Sequence, residues 1–311
     1  MAAFTTFSDA ALERYLMMFD MGELEKYEPI EGGIENSNYY VTLQGDSDSD
    51  SGAREFVLTI TEGMGFDDVP FFNELFRQLD STGLPVPVPE RTLDGMASTI
   101  FCGKPAWLFP RLPGIHPTEP TPEQCETIGA ALARLHEGAA SARYSRHNSY
   151  DAAWAKSTLE AIGSALSTQD HAMLQSILAE YAQFADADLP RGIIHGDLFR
   201  DNTLFDAGRL TGIIDFYHAC DDFLVQDVAI TVNDWCTNPD GSIDDVRCAA
   251  MIDGYESVRA LTEAEVSALP AFRRAGAMRF VLTRLLSGDA EGHLKDPEEF
   301  LRIARGAQSP Q

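Results

Sequence analysis

The densest polar chemistry in the chain lies in one stretch, IIHGDLFRDNTLFDAGRLTGIIDF, residues 193–216. It gathers His195, Asp197, Arg200, Asn202 and Asp215 between apolar runs. Transfer of a phosphoryl group from a nucleotide needs two kinds of group on one rigid platform. One is a carboxylate that orients the attacking hydroxyl; the other is a set of hard oxygen ligands for Mg²⁺ on the nucleotide phosphates. Asp197 and Asn202 fall in one loop between strands, close enough to share a turn while facing different atoms. Asp215 follows at the far end of a hairpin turned by Asp206-Ala207-Gly208-Arg209, which can return it beside Asn202. The spacing supplies one base and two metal ligands. Taken singly, each residue has an ordinary explanation: a turn or cap for Asp197, an Asx turn for Asn202, a strand end for Asp215. Together, on a strand–loop–strand–turn–strand frame, they make a site.

The elements that must hold these groups are legible from periodicity. Residues 8–19 read as a short amphipathic helix, followed by strands NYYVTLQ (38–44) and REFVLTITE (54–62), rich in β-branched and aromatic residues. Between them GDSDSDSG (45–52) alternates acids as a calcium loop does. Ser51 replaces the required glycine and Val57 the required glutamate, so a solvated hairpin loop is the better reading. A helix over 67–81 carries Val69, Phe72, Leu75, Phe76 and Leu79 on one face. Short strands separated by Asp94-Gly95 and Cys102-Gly103-Lys104 come next. The proline- and glycine-crowded WLFPRLPGIHP (107–117) marks a boundary.

Beyond it helices dominate. Thr121-Pro122-Glu123-Gln124 is a capping box opening a helix to about residue 142. Helical patterns cover 150–166 and 168–187; strands GIIH, TLF and LTGIIDF interrupt them; helices resume over 225–237, 243–261, 262–287 and 296–305. The expected fold class is α+β, with a β-rich lobe over residues 1–110 and a larger, mainly helical lobe over 111–311.

Composition bounds the partners. The 311 residues suffice for a sizeable core, and 44% hydrophobic with 23% charged residues is the make-up of a soluble globular chain. A formal charge of -26 argues against nucleic acid or an anionic membrane as partner, since both need dense Lys and Arg. The plain reading of this acidity is solubility. An anionic substrate must then be held by local cations, metal or backbone N–H groups. Five cysteines without a C-x-x-C spacing suit a reducing compartment, and seven histidines without ligand spacing give no zinc site. The first residues carry no basic, apolar leader and no segment is long enough to span a bilayer, so a cytoplasmic location is expected.

H-G-D-x-x-x-x-N followed by I-D-F resembles the catalytic and metal-binding segments of the aminoglycoside phosphotransferase-type kinases, relatives of the protein kinases. The lobe order agrees, so the resemblance covers nearly the whole chain. It implies a bilobal protein-kinase-like fold, with a small antiparallel-sheet N-lobe and a larger helical C-lobe, and ATP and Mg²⁺ as cofactors. It makes Asp197 the catalytic base, Asn202 and Asp215 the metal ligands, His195 a brace of the loop, and Asp227 a buried anchor for it. Longer phrases narrow the group. IDFYHACDDFLVQDVAITVNDWC (214–236), EGGIENSNYYV (31–41), DVPFFNELFRQLDSTGLPVP (68–87) and MRFVLTRL (278–285) resemble the homoserine kinases of this superfamily.

By the same resemblance Gly32, Gly33, Glu35, Asn36, Ser37 and Asn38 form the loop over the phosphates, where glycines allow close backbone approach. Pro110 and Leu112, in the hinge, present backbone groups to adenine. One departure stands out. Thr59 occupies the position where many kinases carry a lysine, and Glu74 the position of that lysine's carboxylate partner. The homoserine kinase group tends to show the same V-L-T, so the departure points to the subgroup. Arg200 is the candidate for the cation that meets the transferring phosphate.

L-homoserine is a zwitterion, which needs at least one acidic and one basic partner. Asp221, Asp222, Asn233 and Asp234 are the candidates for the ammonium and Arg279 or Arg284 for the carboxylate; helix capping and solvated surface are the plain alternative for the acids. Trp235 and Tyr217 read as packing residues. The expected activity is phosphorylation of L-homoserine towards threonine. A kinase for choline, hydroxylysine or an aminoglycoside is the runner-up, because fold alone does not separate these. A nucleotide-binding pseudokinase is a third reading, motivated by the absent lysine and opposed by Asp197, which a pure binder does not need.

Overall fold

The structure, a computed structural model, describes residues 4–31, 36–44, 53–162, 165–287 and 296–306. Gly32, Gly33 and Glu35 of the expected phosphate loop, and the acidic stretch 45–52, lie outside the described residues. The chain divides into two compact units, Met1–Ser81 with Val86–Pro113, and Thr82–Pro85 with Gly114–Gln311.

The first unit is built on a five-stranded antiparallel sheet in the order β1-β2-β3-β5-β4. Its strands are β1 (Leu24–Pro29), β2 (Asn36–Leu43), β3 (Arg54–Thr61), β4 (Thr99–Phe101) and β5 (Lys104–Pro110), with helices α1 (Asp9–Leu16) and α2 (Val69–Asp80). The period of two assigns the faces. Tyr39, Val41, Leu43, Phe56, Leu58 and Ile60 pack with Leu12, Tyr15 and Leu16 of α1. On the opposite face Asn38 lies across from Thr59, and Thr59 across from Trp107. There α2 packs, with Phe72 edge-on to Trp107, Phe76 edge-on to Phe109, and Asn73 accepting from the Trp107 indole at 3.1 Å. The tight turn into β5 is made by Cys102 and Gly103, at φ 52 and 76, the left-handed pair a two-residue hairpin demands. The strand expected before Asp94-Gly95 does not form. Proline at 85, 87 and 89 removes the donors a ladder needs; Glu90 alone donates to the Leu108 carbonyl of β5, and Thr92 and Gly95 close the turn that follows.

The second unit holds α3 (Pro122–Gly138), α4 (Ala152–Ile162), α5 (Thr168–Tyr181), β6 (Arg191–Ile194), β7 (Thr203–Asp206), β8 (Arg209–Ile213), β9 (Cys220–Phe223), α6 (Leu224–Trp235), α7 (Asp245–Glu256), α8 (Glu263–Ser287) and α9 (Pro297–Gly306). The capping box opens α3 as expected, with Thr121 and Gln124 each bonding the other's backbone N–H. Helices α3 and α7 meet where Gly129 and Gly254 each face the other helix's backbone. A Cβ on either would stand 2.0 Å from a carbonyl oxygen, so nothing larger fits. Residues of α4, α5, α8 and α9 share one apolar core with Phe199 of the loop after β6 and Ile230 of α6. That core seats the loop from below.

Candidate active site

The stretch read as chemistry folds as two short ladders rather than one run of strands. β7 and β8 form the expected hairpin, closed by Ala207 and Gly208 at φ 47 and 79. β6 pairs instead with β9, whose sequence CDDF carries too little apolar content to read as a strand. Its Asp222 is buried all the same.

The loop after β6 is held by its backbone. His195 and Gly196 donate their N–H groups to the two carboxylate oxygens of Asp227, at 2.7 and 2.8 Å. Gly196 sits at φ +76, and a Cβ there would come within 2.9 Å of the His218 carbonyl, so only glycine passes. The His195 ring is fully buried. Its Nε2–H donates to the Ile214 carbonyl at 3.0 Å and its Nδ1 accepts the Asp197 N–H at 3.3 Å. His195 therefore ties the residue before Asp215 to the backbone of Asp197.

Asn202 donates from Nδ2 to the Asp197 carbonyl at 2.8 Å and to its carboxylate at 3.1 Å. The Ile214 N–H in turn donates to the Asn202 carbonyl at 2.9 Å, which places Asp215 next in chain to a residue pinned on Asn202. Asp215 itself is left-handed, at φ 62 and ψ 61. A non-glycine residue held there is strained by about 1–3 kcal/mol, a cost the surrounding bonds must sustain. Asp197 and Asn202 thus share one loop, and Asp215 follows directly on a residue bonded to that loop.

Burial sets the charge state of the supports. The His195 imidazole, desolvated on all sides, is pushed down to about 4, so it stays neutral at physiological pH. Burial alone would raise the Asp227 carboxyl, but the hydrogen bond from His136 and the charges near it hold it below the ordinary range. His136 Nε2 meets Asp227 at 3.1 Å, its Nδ1 meets the Tyr255 hydroxyl at 2.8 Å, and that hydroxyl accepts from Arg259 at 3.0 Å. Arg259 is paired at 3.0 Å with the fully buried Glu265. This buried network fixes Asp227, and through it the loop.

A pH effect follows. His195 binds its proton near pH 6.5 when unfolded but only near 4 when folded, so over that window the unfolded state holds more protons. The contribution is fully present above about pH 6.5 and is lost as pH falls towards 4. Chemical denaturation at pH 7 and pH 5 should show a lower midpoint at pH 5, with a smaller difference in His195→Gln. Equal pH dependence in both proteins would contradict the assignment.

Several of the residues expected at the ligands have partners within the protein. Arg200 is bound on three sides of Asp234: its backbone N–H, Nε and Nη2 reach that carboxylate at 2.7, 3.0 and 3.3 Å, and Nη1 donates to the Thr118 carbonyl. Burial works against the guanidinium charge, yet the Asp234 carboxylate outweighs it and raises the Arg200 pKa. Arg200 and Asp234 hold each other and, through the Arg200 N–H, the loop. Trp235 adds a bond from its indole to the Leu198 carbonyl. Asn233 is buried between α6 and α8, exchanging bonds with the Arg273 backbone carbonyl and Nε. Arg284 donates to the Asp296 carbonyl and Glu299 and lies 4.3 Å over the Phe300 ring, which assigns it to the docking of α9. All these partners are remote in sequence, beyond the reach of local pattern.

Asp221 and Asp222 line a cavity of about 200 Å³ together with Arg191 and Tyr181. Asp222 is buried, raised by that burial, and accepts from Asn148 at 2.6 Å. Arg279 lies in α8 with its Nη1 on the Gly196 carbonyl at 2.5 Å. Tyr150, beneath Arg279 at 4.2 Å, is a site neighbour that periodicity alone did not reveal.

In the first unit, Asn38 and Thr59 share one sheet face, joined by a 2.7 Å bond from the Thr59 hydroxyl. Asn36 accepts from the Glu62 N–H at 3.3 Å. The Ser37 side chain is on the other face, buried, where it accepts from the Phe4 and Thr5 N–H groups. The parity of the strand separates it from its neighbours. Glu74 is held by Arg77 at 2.8 Å and Gln78 at 2.9 Å, both on its own helix. Pro110 pairs with Phe56 at the end of β5, and the half-buried Leu112 follows it.

The model of the APH phosphotransferase enzyme family matches residues 26–261. The chain is 39% identical to the homoserine kinase of Methylobacillus flagellatus over 98% of its length and 95% of that protein. It is likewise 39% identical to the homoserine kinase of Pseudomonas aeruginosa, covering 98% and 96% of the two chains. Among solved structures, an amicoumacin kinase in complex with AMP-PNP, Ca²⁺ and Ami superposes with a TM-score of 0.73 at 16% identity, covering 97% of this chain and 92% of that one. The fold is that of these kinases. With the Asp197–Asn202 turn and its Asp227 clamp inside the matched span, the chain belongs to the APH phosphotransferase enzyme family, and within it to the homoserine kinases.

Proposed function

We propose that the chain transfers the γ-phosphoryl group of ATP to the hydroxyl of L-homoserine, giving O-phospho-L-homoserine, with Mg²⁺ as the metal. What supports this reading is near-full-length likeness to homoserine kinases in a chain whose Asp197 and Asn202 share one loop, with Asp215 next to a residue bonded to it. Asp197 accepts the hydroxyl proton and orients the oxygen for in-line attack. Asn202, with Nδ2 committed to Asp197, has Oδ1 to offer a cation, and Asp215 offers a carboxylate. Two hard-oxygen donors suit Mg²⁺, which takes one or two protein oxygens and completes its shell from phosphates and water. When bound, the metal neutralises charge on the β- and γ-phosphates. Asn38 and Thr59 offer polar groups on one sheet face to the nucleotide, and the backbone at Pro110 and Leu112 is assigned to adenine.

Among the described residues no helix is long and apolar enough to cross a membrane. The test is ADP release with Mg²⁺-ATP and a panel of hydroxylated amines. Turnover should be fastest with L-homoserine; a faster rate with choline, hydroxylysine or an aminoglycoside would replace the substrate, and no turnover with any would restore the pseudokinase reading.

A further inference from the structure

Arg279 is a buried cation without an acid. It is 6% exposed, and among the described residues no carboxylate lies within ion-pair distance of it. Four other guanidiniums named above are paired with acids: Arg200 with Asp234, Arg259 with Glu265, Arg284 with Glu299, Arg191 with Asp222; Arg273 has the amide oxygen of Asn233 on its Nε. A charge is rarely buried unless paired, because taking it out of water is costly. Arg279 has instead one carbonyl, that of Gly196, and the faces of Tyr150 at 4.2 Å and Phe280 at 4.8 Å. Its Nε is buried with no acceptor.

The pattern of donors is informative. A guanidinium presents two forks, and the side-on fork consists of Nε and Nη2. Nη1 is committed to Gly196, whereas the side-on fork contains the unspent Nε. That fork matches a carboxylate, with two parallel charge-assisted bonds. The anchoring carbonyl belongs to Gly196, the residue directly before Asp197, so Arg279 is bonded to the backbone that carries the proposed base. In L-homoserine the hydroxyl carbon is separated from the carboxyl carbon by only two others, a short span.

Resting on the reading that the substrate is an amino-acid alcohol, we infer that Arg279 binds its α-carboxylate and selects it over amines that lack one. The closing contacts are the substrate carboxylate on the side-on fork, Tyr150 stacked on the guanidinium face, and Gly196 fixing the distance to Asp197. An uncharged amino alcohol tail leaves Arg279 unpaired and is rejected for that reason.

The experiment compares kcat/KM for L-homoserine and for 3-amino-1-propanol, the same alcohol without its carboxylate, by ADP release. Using the ratio of the two removes any difference in active fraction. Arg279→Met should lower the homoserine-to-aminopropanol ratio by about 100-fold. Arg279→Lys keeps the charge but not the fork, and should lower it by about 10-fold. If the Met variant fails to give a cooperative melting curve, the Lys variant decides. A ratio unchanged from wild type, with both rates reduced in parallel, would overturn the assignment and leave Arg279 as a support for Gly196. Wild-type protein inactive on L-homoserine would instead overturn the substrate reading, and this assignment with it.

Discussion

Asp197→Asn is expected to lower kcat by about 10²–10⁴-fold, the range a positioned general base supplies. The substitution is nearly isosteric, and the new amide can turn its oxygen to the Asn202 Nδ2 that now lies 3.1 Å from the carboxylate. The other supports of the turn survive, because Gly196, His195 and Ile214 are held through backbone groups that the change does not touch. ATP binding should therefore remain within about threefold of wild type, since uniform binding and transition-state stabilisation are separable. Steady-state kinetics with isothermal titration of a non-hydrolysable ATP analogue checks both halves. Activity near wild type would remove Asp197 from the chemistry. A parallel loss of nucleotide binding would mean that the residue holds the metal rather than the hydroxyl.

The second large effect is expected at Asp227. Its carboxylate accepts from the N–H groups of His195 and Gly196 and from His136, and it is fully buried. Asp227→Ala leaves all three donors in a dry interior without an acceptor, at a cost of about 3–5 kcal/mol. Asp227→Asn keeps one acceptor and sets an NH₂ against the other backbone donor, so it should fall between alanine and wild type. The denaturation midpoint in urea should drop in that order, and kcat with it, because the turn that presents Asp197 loses its clamp. A midpoint for Asp227→Ala equal to wild type would contradict the clamp.

The legible part of this site is what local chemistry encodes. Asp206-Ala207-Gly208-Arg209 reads as a hairpin because an acid and a glycine break two apolar strand patterns there, and Thr121–Gln124 reads as a helix start because both halves of the box are in the sequence. The spacing of Asp197, Asn202 and Asp215 carries their proximity for the same reason. Strands β1, LEKYEP, and β9, CDDF, escape, since their polarity hides the pairing that neighbours impose. The parity that buries the Ser37 side chain is written in the alternation of β2, whereas which face meets α1 is a tertiary fact. Ion pairs are the least legible. Arg200 with Asp234, Arg284 with Glu299 and His136 with Asp227 bring together residues whose separation along the chain has no local signature. Charge type marks them as candidates; only the fold decides which are ligands and which are supports.

The central claim is phosphorylation of L-homoserine on its hydroxyl. Its most direct test is phosphorus NMR of the purified protein with Mg²⁺-ATP and L-homoserine. The account predicts one new phosphomonoester signal, coupled to the γ-methylene protons of homoserine and formed in equal amount with ADP. ADP appearing at the same rate without homoserine, with inorganic phosphate as the sole other product, would contradict it.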